Sequence, residues 1–354
     1  MSVKEEIAGA PVRNGELPGD VTDLELLEKI CRRYHLGALT EEPRRLGGGF
    51  LHKMYSLFTT KGRYALKLLN PFVMQRSTAM ENYRTAEALE HLLEEKGLPI
   101  IPARVFEGRK MQEIDGQYFY LYEWYDGTAL RDEEIREVHC RKVGALLAQI
   151  HALDRRVGPY ERTAIQVDWD NYIEQFSGRN EELCRLLGEQ RGALYESQRQ
   201  GSLAVRRLPP VVTICHNDMD SKNVLWSGTD CRVIDLECLG YSSPFLELYE
   251  LALCWAGYAG GRIEFHLFRA FLRSYAEAGG QLPADWETVY WSNCGRLEWL
   301  EYNLKRALGI DCRAEEIGLG ILEAKRTLAQ VACYQAAREE ILRHCRASAH
   351  RVTV

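Results

Sequence analysis

The most constraining feature of this chain is a polar run set between two short apolar segments. Val211 to Cys215 reads as a buried strand, His216-Asn217-Asp218-Met219-Asp220-Ser221-Lys222 as a loop, and Asn223 to Trp226 as a second strand. Ser227-Gly228-Thr229-Asp230 is a turn signal, and Cys231 to Ile234 is the returning arm of a hairpin. Asp235 follows directly, in Val233-Ile234-Asp235-Leu236-Glu237. A hairpin of this length brings Asp235 back to the end where Asn223 begins. A polar loop whose Asp and Asn only cap turns is the plain alternative. A carboxylate five residues before a carboxamide, a second carboxylate twelve residues beyond it and buried strands around them make a more demanding pattern.

The rest of the chain divides by character around this run. Residues 1–20, with Gly9, Pro11, Gly15, Pro18 and Gly19, are expected to be a flexible tail. Residues 21–123 form a β-rich block. It opens with a helix over Val21 to Tyr34, then a glycine turn at Leu46-Gly47-Gly48-Gly49-Phe50. A hairpin of Met54–Thr59 and Tyr64–Leu69 follows, then a helix over Glu81 to Lys96. Strands are expected near Ala103–Glu107 and Gln117–Glu123, with Asp115-Gly116 turning between them. Residues 124–354 have mostly helical period: Ile135 to Ile150, Trp169 to Leu187, a more polar stretch to Arg206, and Phe245 to His344. The expected class is therefore α+β, a small antiparallel-sheet lobe joined through residues 121–127 to a large, mainly helical lobe.

Composition narrows the partners. Hydrophobic residues at 46% and charged residues at 27% exclude wholesale disorder. A net charge of −6 offers no basic excess to neutralise a nucleic-acid backbone, so no nucleic acid is expected. The acidic balance suits a cationic small molecule, and solubility accounts for it equally well. The N-terminus has no apolar run behind a basic head, and Leu248 to Ala259 is far short of a membrane span. Eleven scattered cysteines without a Cys-x-x-Cys pair read as free thiols. A cytoplasmic protein without a membrane partner is expected.

Phosphoryl transfer from ATP requires the kind of group the polar run supplies. One carboxylate must orient the attacking hydroxyl and take its proton, while a carboxylate and an amide offer hard oxygens to Mg²⁺. His-x-Asp-x-x-x-x-Asn followed by Ile-Asp-x-Glu resembles the aminoglycoside phosphotransferase and choline kinase family, small-molecule relatives of the protein kinases. The resemblance extends from about Leu46 to Leu304 and is strongest between Val212 and Leu248. It implies a two-lobed protein-kinase-like fold, with residues 21–123 as a nucleotide-binding N-lobe and 124–354 as a helical C-lobe. It also implies Asp218 as catalytic base, Asn223 and Asp235 as Mg²⁺ ligands, and His216 as a buried support.

By the same resemblance, the backbone of Gly48 and Gly49 would cover the phosphates of ATP. Lys67, in Tyr64-Ala65-Leu66-Lys67-Leu68, would hold the α- and β-phosphates and pair with a helix glutamate, Glu87 in preference to Glu81. Tyr120 to Tyr125, with Glu123 and Tyr125, would be the linker whose backbone reads the adenine edge; its aromatics suit interlobe packing equally.

The chain also departs from the family pattern. Asn217 stands where the family usually has glycine, and Asp220 where it often has histidine. Lys222 would set a positive charge beside the transferring phosphate. Glu237 either touches the metal site or ends the strand. The acceptor pocket is expected from Trp286 to Leu308, where Glu298 and Tyr302 share a helix face suited to an amine. That face fits an ordinary solvated helix too.

The sequence supports ATP- and Mg²⁺-dependent transfer to a hydroxyl of a small, cationic molecule, an aminoglycoside or another amine-bearing alcohol. Its rival is a nucleotide-binding or spore-coat-type structural protein that keeps the fold without turnover. Retention of Lys67, Asp218, Asn223 and Asp235 together favours the enzyme. The reading requires Asp218, Asn223 and Asp235 to converge around one divalent ion.

Overall fold

The computed structural model describes residues 17–18, 21–47, 52–158, 165–312 and 314–349. The expected phosphate-covering turn at Gly48 and Gly49, and all but Leu17 and Pro18 of the expected tail, lie outside the described residues. The chain forms a two-lobed α+β fold with two compact units. One comprises Met1–Ala129 with Lys222–Leu239, the other Leu130–Ser221 with Gly240–Val354.

In the first unit, β1 (Leu17–Pro18), β2 (Arg44–Leu46), β3 (Lys53–Thr59), β4 (Gly62–Leu68), β5 (Gln112–Ile114) and β6 (Gln117–Glu123) form one antiparallel sheet in the order β1-β2-β3-β4-β6-β5. Strand alternation decides the faces. Tyr55, Leu57, Leu66, Leu68, Phe119 and Leu121 are buried against Leu27 and Ile30 of α1 (Val21–Arg33). On the opposite face lie Lys67 and Tyr120, paired in register across β4 and β6. Beyond α2 (Pro71–Met74), α3 (Ala79–Glu95) packs Ala79 and Tyr83 with Leu69, Ala103 and Tyr120.

The strand expected at Ala103–Glu107 is reduced to isolated bridges, because left-handed Glu107 and Gly108 turn the chain there. The partner of β6 is β5, joined through Asp115-Gly116, both at positive φ as a tight hairpin turn requires.

The hairpin of β10 (Val224–Ser227) and β11 (Asp230–Val233) groups with this first unit rather than with the helical residues that surround it in sequence. The cause is hydrogen bonding. β10 pairs with β7 (Thr128–Ala129), and Val233 exchanges backbone bonds with Pro99 and Ile101 at 2.8 and 2.9 Å.

In the second unit, β8 (Arg155–Val157), β9 (Val211–Cys215) and β12 (Gly240–Ser242) form a small sheet in the order β12-β9-β8. Around it are α4 (Glu137–Leu153), α5 (Trp169–Phe176), α6 (Glu181–Ala204), α7 (Pro244–Trp255) and α8 (Phe265–Glu277). Four more helices complete the unit: α9 (Trp286–Ser292), α10 (Gly295–Ala307), α11 (Ile317–Ala336) and α12 (Arg338–Ala349). The helix expected over Trp169 to Leu187 is two helices. Gly178 at φ +73° breaks it, and the Asn180 side chain caps α6 by accepting from the Leu183 amide. Trp169, Phe176, Leu183, Leu187, Leu300, Leu304 and Leu328 form the core shared by α5, α6, α10 and α11. Among the described residues no helix is long and apolar enough to cross a membrane.

Candidate active site

Within the first unit, the hairpin register carries out the expected return. Val224 pairs with Val233, and the Ile234 amide donates to the Asn223 carbonyl at 3.0 Å. Asn223 is buried and Asp235 stands at the same end, in a left-handed conformation at φ +64°. Non-glycine residues rarely adopt that conformation, and it turns the chain sharply out of β11. Two hard oxygen donors at one hairpin end suit Mg²⁺, whose preferred ligands are carboxylate and carbonyl oxygens.

Lys67 is reached from the sheet. Its Nζ lies 2.6 Å from Asp235 Oδ1 and 2.6 Å from Glu237 Oε2. Burial by itself would lower the Lys67 pKa, but the charges and hydrogen bonds of Glu237 and Asp235 prevail and raise it. Burial works against the charge of Glu237 as well. A hydrogen bond from His52 and the charge of Lys67 nevertheless bring its carboxyl down to about 2.

His52 Nε2 lies 3.0 Å from Glu237 Oε1, and its Nδ1 accepts from the Asn70 amide at 3.0 Å. An amide can only donate, so the imidazole proton sits on Nε2 and points at Glu237.

The expected helix partner is engaged elsewhere. Glu87 accepts from the Met111 amide and the Tyr120 hydroxyl, each at 2.9 Å. Glu81 is exposed. Glu90, on the same helix, accepts from the Ala103 amide at 2.6 Å and from Lys110 at 2.8 Å. At the linker, Glu123 ends β6 and pairs with Arg104 at 3.2 Å, while the Tyr125 carbonyl accepts from the Gly127 amide at 2.9 Å. Lys222 is exposed on the turn before β10.

In the second unit, Asp218 follows β9 in a loop held from two points of α7. The Asn217 amide donates to Glu247 Oε1 at 2.5 Å, and Trp255 Nε1 donates to the Met219 carbonyl at 3.0 Å. His216 is fully buried, with its Nδ1 facing the Asp218 amide at 3.3 Å. Asn217 has φ +63°, which accounts for glycine as the family's usual residue there. Asparagine tolerates the left-handed region better than most residues, and here Asn217 Oδ1 also accepts from the Ser242 hydroxyl at 2.9 Å.

Behind the loop, Glu247 Oε2 meets His151 Nε2 at 2.7 Å, and His151 Nδ1 meets the Tyr275 hydroxyl at 2.9 Å. Burial opposes the Glu247 charge, yet the bonds from His151 and the Asn217 amide hold its carboxyl below its ordinary value. Cys215 Sγ lies 3.7 Å from His151 Nε2, and burial pushes that thiol well up, so it stays protonated.

Sequence reasoning weighed Glu237 but missed His52, His151 and Glu247. A lone carboxylate in the apolar stretch Pro244-Phe245-Leu246-Glu247-Leu248 was the available signal for the last.

The segment Trp286 to Leu308 is divided between α9 and α10, with Glu298 and Tyr302 both on α10. Trp299 and Tyr302 stack at 5.3 Å, Glu298 is exposed, and Glu301 is bound by Lys305 at 2.8 Å. Elsewhere in the second unit, partial burial pushes the Asp132 carboxyl up, with Arg326 opposing and the charges of Glu133 and Asp220 adding to the rise. All eleven cysteines are free.

Residues 42–291 match the model of the phosphotransferase enzyme family, and the chain belongs to that family. Similar solved structures include a spectinomycin phosphotransferase in complex with ADP and spectinomycin, at TM-score 0.66 and 13% identity, covering 87% of this chain and 97% of that one. An ethanolamine kinase of Plasmodium vivax aligns at TM-score 0.52 and 17% identity over 81% of each chain. An aminoglycoside phosphotransferase of Alicyclobacillus acidocaldarius aligns at TM-score 0.54 and 16% identity, covering 94% of this chain and all of that one. At these identities the likeness is one of fold.

Proposed function

We propose that this protein transfers the γ-phosphate of ATP to a hydroxyl of a small, amine-bearing molecule. The observation that carries the reading is the hairpin end, where Asn223 and Asp235 stand together and Lys67 reaches Asp235. Membership of the phosphotransferase family supports it. In this reading Asp218 orients the acceptor hydroxyl and takes its proton, and Lys67 holds the α- and β-phosphates. Gly48 and Gly49 cover the phosphates, and the backbone about Glu123 and Tyr125 receives the adenine. Mg²⁺, held by Asn223 and Asp235, would neutralise phosphate charge. Lys222 adds a positive charge for the transferring group. Positioning and charge neutralisation supply most of the rate, because little covalent work falls to the protein.

An amine on the acceptor is supported by the carboxylate of Asp220, two residues after the base, and by Asp132, whose carboxyl feels its charge. The same chemistry covers amino sugars, cholines and amino alcohols, and the protein works in the cytoplasm, where ATP and Mg²⁺ are supplied.

The test is a product assay with Mg²⁺-ATP against those three acceptor classes. Asp218→Asn should abolish transfer while nucleotide affinity stays nearly intact, and Lys222→Ala should cut turnover far more than affinity. Nucleotide binding lost in Asp218→Asn would show that the base is misassigned. Binding without turnover across the whole panel would refute the enzymatic reading.

A further inference from the structure

The Lys67 ammonium is held by two carboxylates, and neither comes from α3. Resting on the phosphotransfer reading above, we propose that Glu237 is the positioning residue for Lys67. It is the resident counter-ion that keeps the ammonium aimed at phosphate while Asp235 is engaged by metal.

Three observations carry this. Glu237 is the more buried of the two partners, its side chain 14% exposed against 30% for Asp235. Its second oxygen is fixed by the His52 Nε2 proton, and His52 is fixed in turn by the Asn70 amide at the start of α2. This chain of three bonds leaves Glu237 little freedom to follow a metal. Finally, the α3 glutamates on the inner side of the helix are committed. Glu87 satisfies a backbone amide and a buried tyrosine, and Glu90 satisfies another amide and the buried Lys110. Swinging either onto Lys67 would strand those donors away from water. Asp235 has two duties and Glu237 has one.

Two substitutions separate charge from packing. Glu237→Gln keeps the size and loses the charge, whereas Glu237→Asp keeps the charge and shortens the reach. A filler role ranks Gln above Asp; a positioning role ranks Asp above Gln. Mg²⁺-ATP turnover should fall about thirtyfold or more in Glu237→Gln, while Mg²⁺-ADP affinity shifts by no more than about threefold, because losing an anion near the phosphates offsets the lost alignment in the ground state. His52→Gln, which retains a donor toward Glu237, should keep more turnover than His52→Ala. Glu87→Gln should leave turnover within about threefold and lower Tm, as a structural hydrogen bond predicts.

A crystal structure of the full chain with Mg²⁺ and a non-hydrolysable ATP analogue should show Lys67 still on Glu237 and Glu87 still on Met111 and Tyr120. Glu87 seated on Lys67 in that complex would overturn the proposal, and so would Gln outperforming Asp at position 237. Glu237→Gln turnover restored in full by excess Mg²⁺ would make Glu237 a metal ligand and overturn it as well. Wild-type protein that neither binds nor turns over Mg²⁺-ATP is a different result, removing the phosphotransfer reading and this role with it.

Discussion

Glu247 is the residue whose removal should reveal how the Asp218 loop is held. It is buried, and it accepts from the Asn217 amide at 2.5 Å and from His151 Nε2 at 2.7 Å. An ionised carboxylate only accepts, so the His151 proton is on Nε2, and Nδ1 is left to take the Tyr275 hydroxyl. Glu247→Ala strands two buried donors, each costing about 1–3 kcal/mol, which places the loss near the 3–5 kcal/mol usual for a broken buried pair. Glu247→Gln should cost about 1–2 kcal/mol, since its carbonyl can still serve Asn217 and bonds to a neutral group are roughly half as strong. The His151 proton would then move to Nδ1 and point at Tyr275. Urea denaturation followed by tryptophan fluorescence measures both, with Trp255 reporting from the Met219 end of the same loop. Turnover should fall with stability, because Asn217 is the residue before Asp218, the proposed base. A Glu247→Ala cost below about 1 kcal/mol would mean the loop is held by other contacts and would refute the anchoring argument. His151→Phe in that background should add little further loss, since the pair is already broken.

The same pair makes a pH prediction. The Glu247 carboxyl is held below its ordinary value of 4.5 in the folded protein, so its contribution is complete above that pH and is lost as pH falls further. The stability gap between wild type and Glu247→Gln should therefore be constant near neutrality and close in acid; a gap that widens below pH 4.5 would reverse the assigned direction. Gly144→Ala tests the packing of α4 on α8. An added methyl would meet the Phe271 carbonyl oxygen at 2.6 Å, so overpacking of about 1–3 kcal/mol should exceed the roughly 1 kcal/mol gain in helix propensity, and thermal melting should show a net loss. Asn217→Gly should stay within about 1 kcal/mol of wild type, while Asn217→Val should lose about 2 kcal/mol or more through the left-handed backbone and the missing bond to Ser242. Equal melting of the two Asn217 variants would show that the loop relaxes out of that conformation.

What could be read from the sequence follows how local the governing physics is. The return of Asp235 to Asn223 was legible because a two-residue period and a Ser-Gly-Thr-Asp turn determine a hairpin register over a dozen residues. The Asp115-Gly116 turn was legible for the same reason, though the strand leading into it was placed too early, at Ala103–Glu107 instead of Gln112–Ile114, because Glu107 and Gly108, both at positive φ, make a separate turn there. The family pattern pointed to Lys67, Asp218, Asn223 and Asp235, but motif spacing carries no information about which carboxylate faces which cation. Glu81, Glu87 and Glu90 all sit on α3, and their fates depend on Tyr120, Met111 and Lys110, residues 20 to 33 positions away. Glu247 and Glu250 make the point most sharply. They lie three residues apart in α7, one buried on His151 and the other exposed, and the apolar run around them looks alike for both. Helix phase becomes meaningful only once a neighbour defines the inside. Departures from a motif are therefore best read through backbone conformation. Asn217 departs from the glycine usual beside the proposed catalytic aspartate, yet its φ of +63° is a conformation that favours glycine, met here by a residue that adds a bond to Ser242.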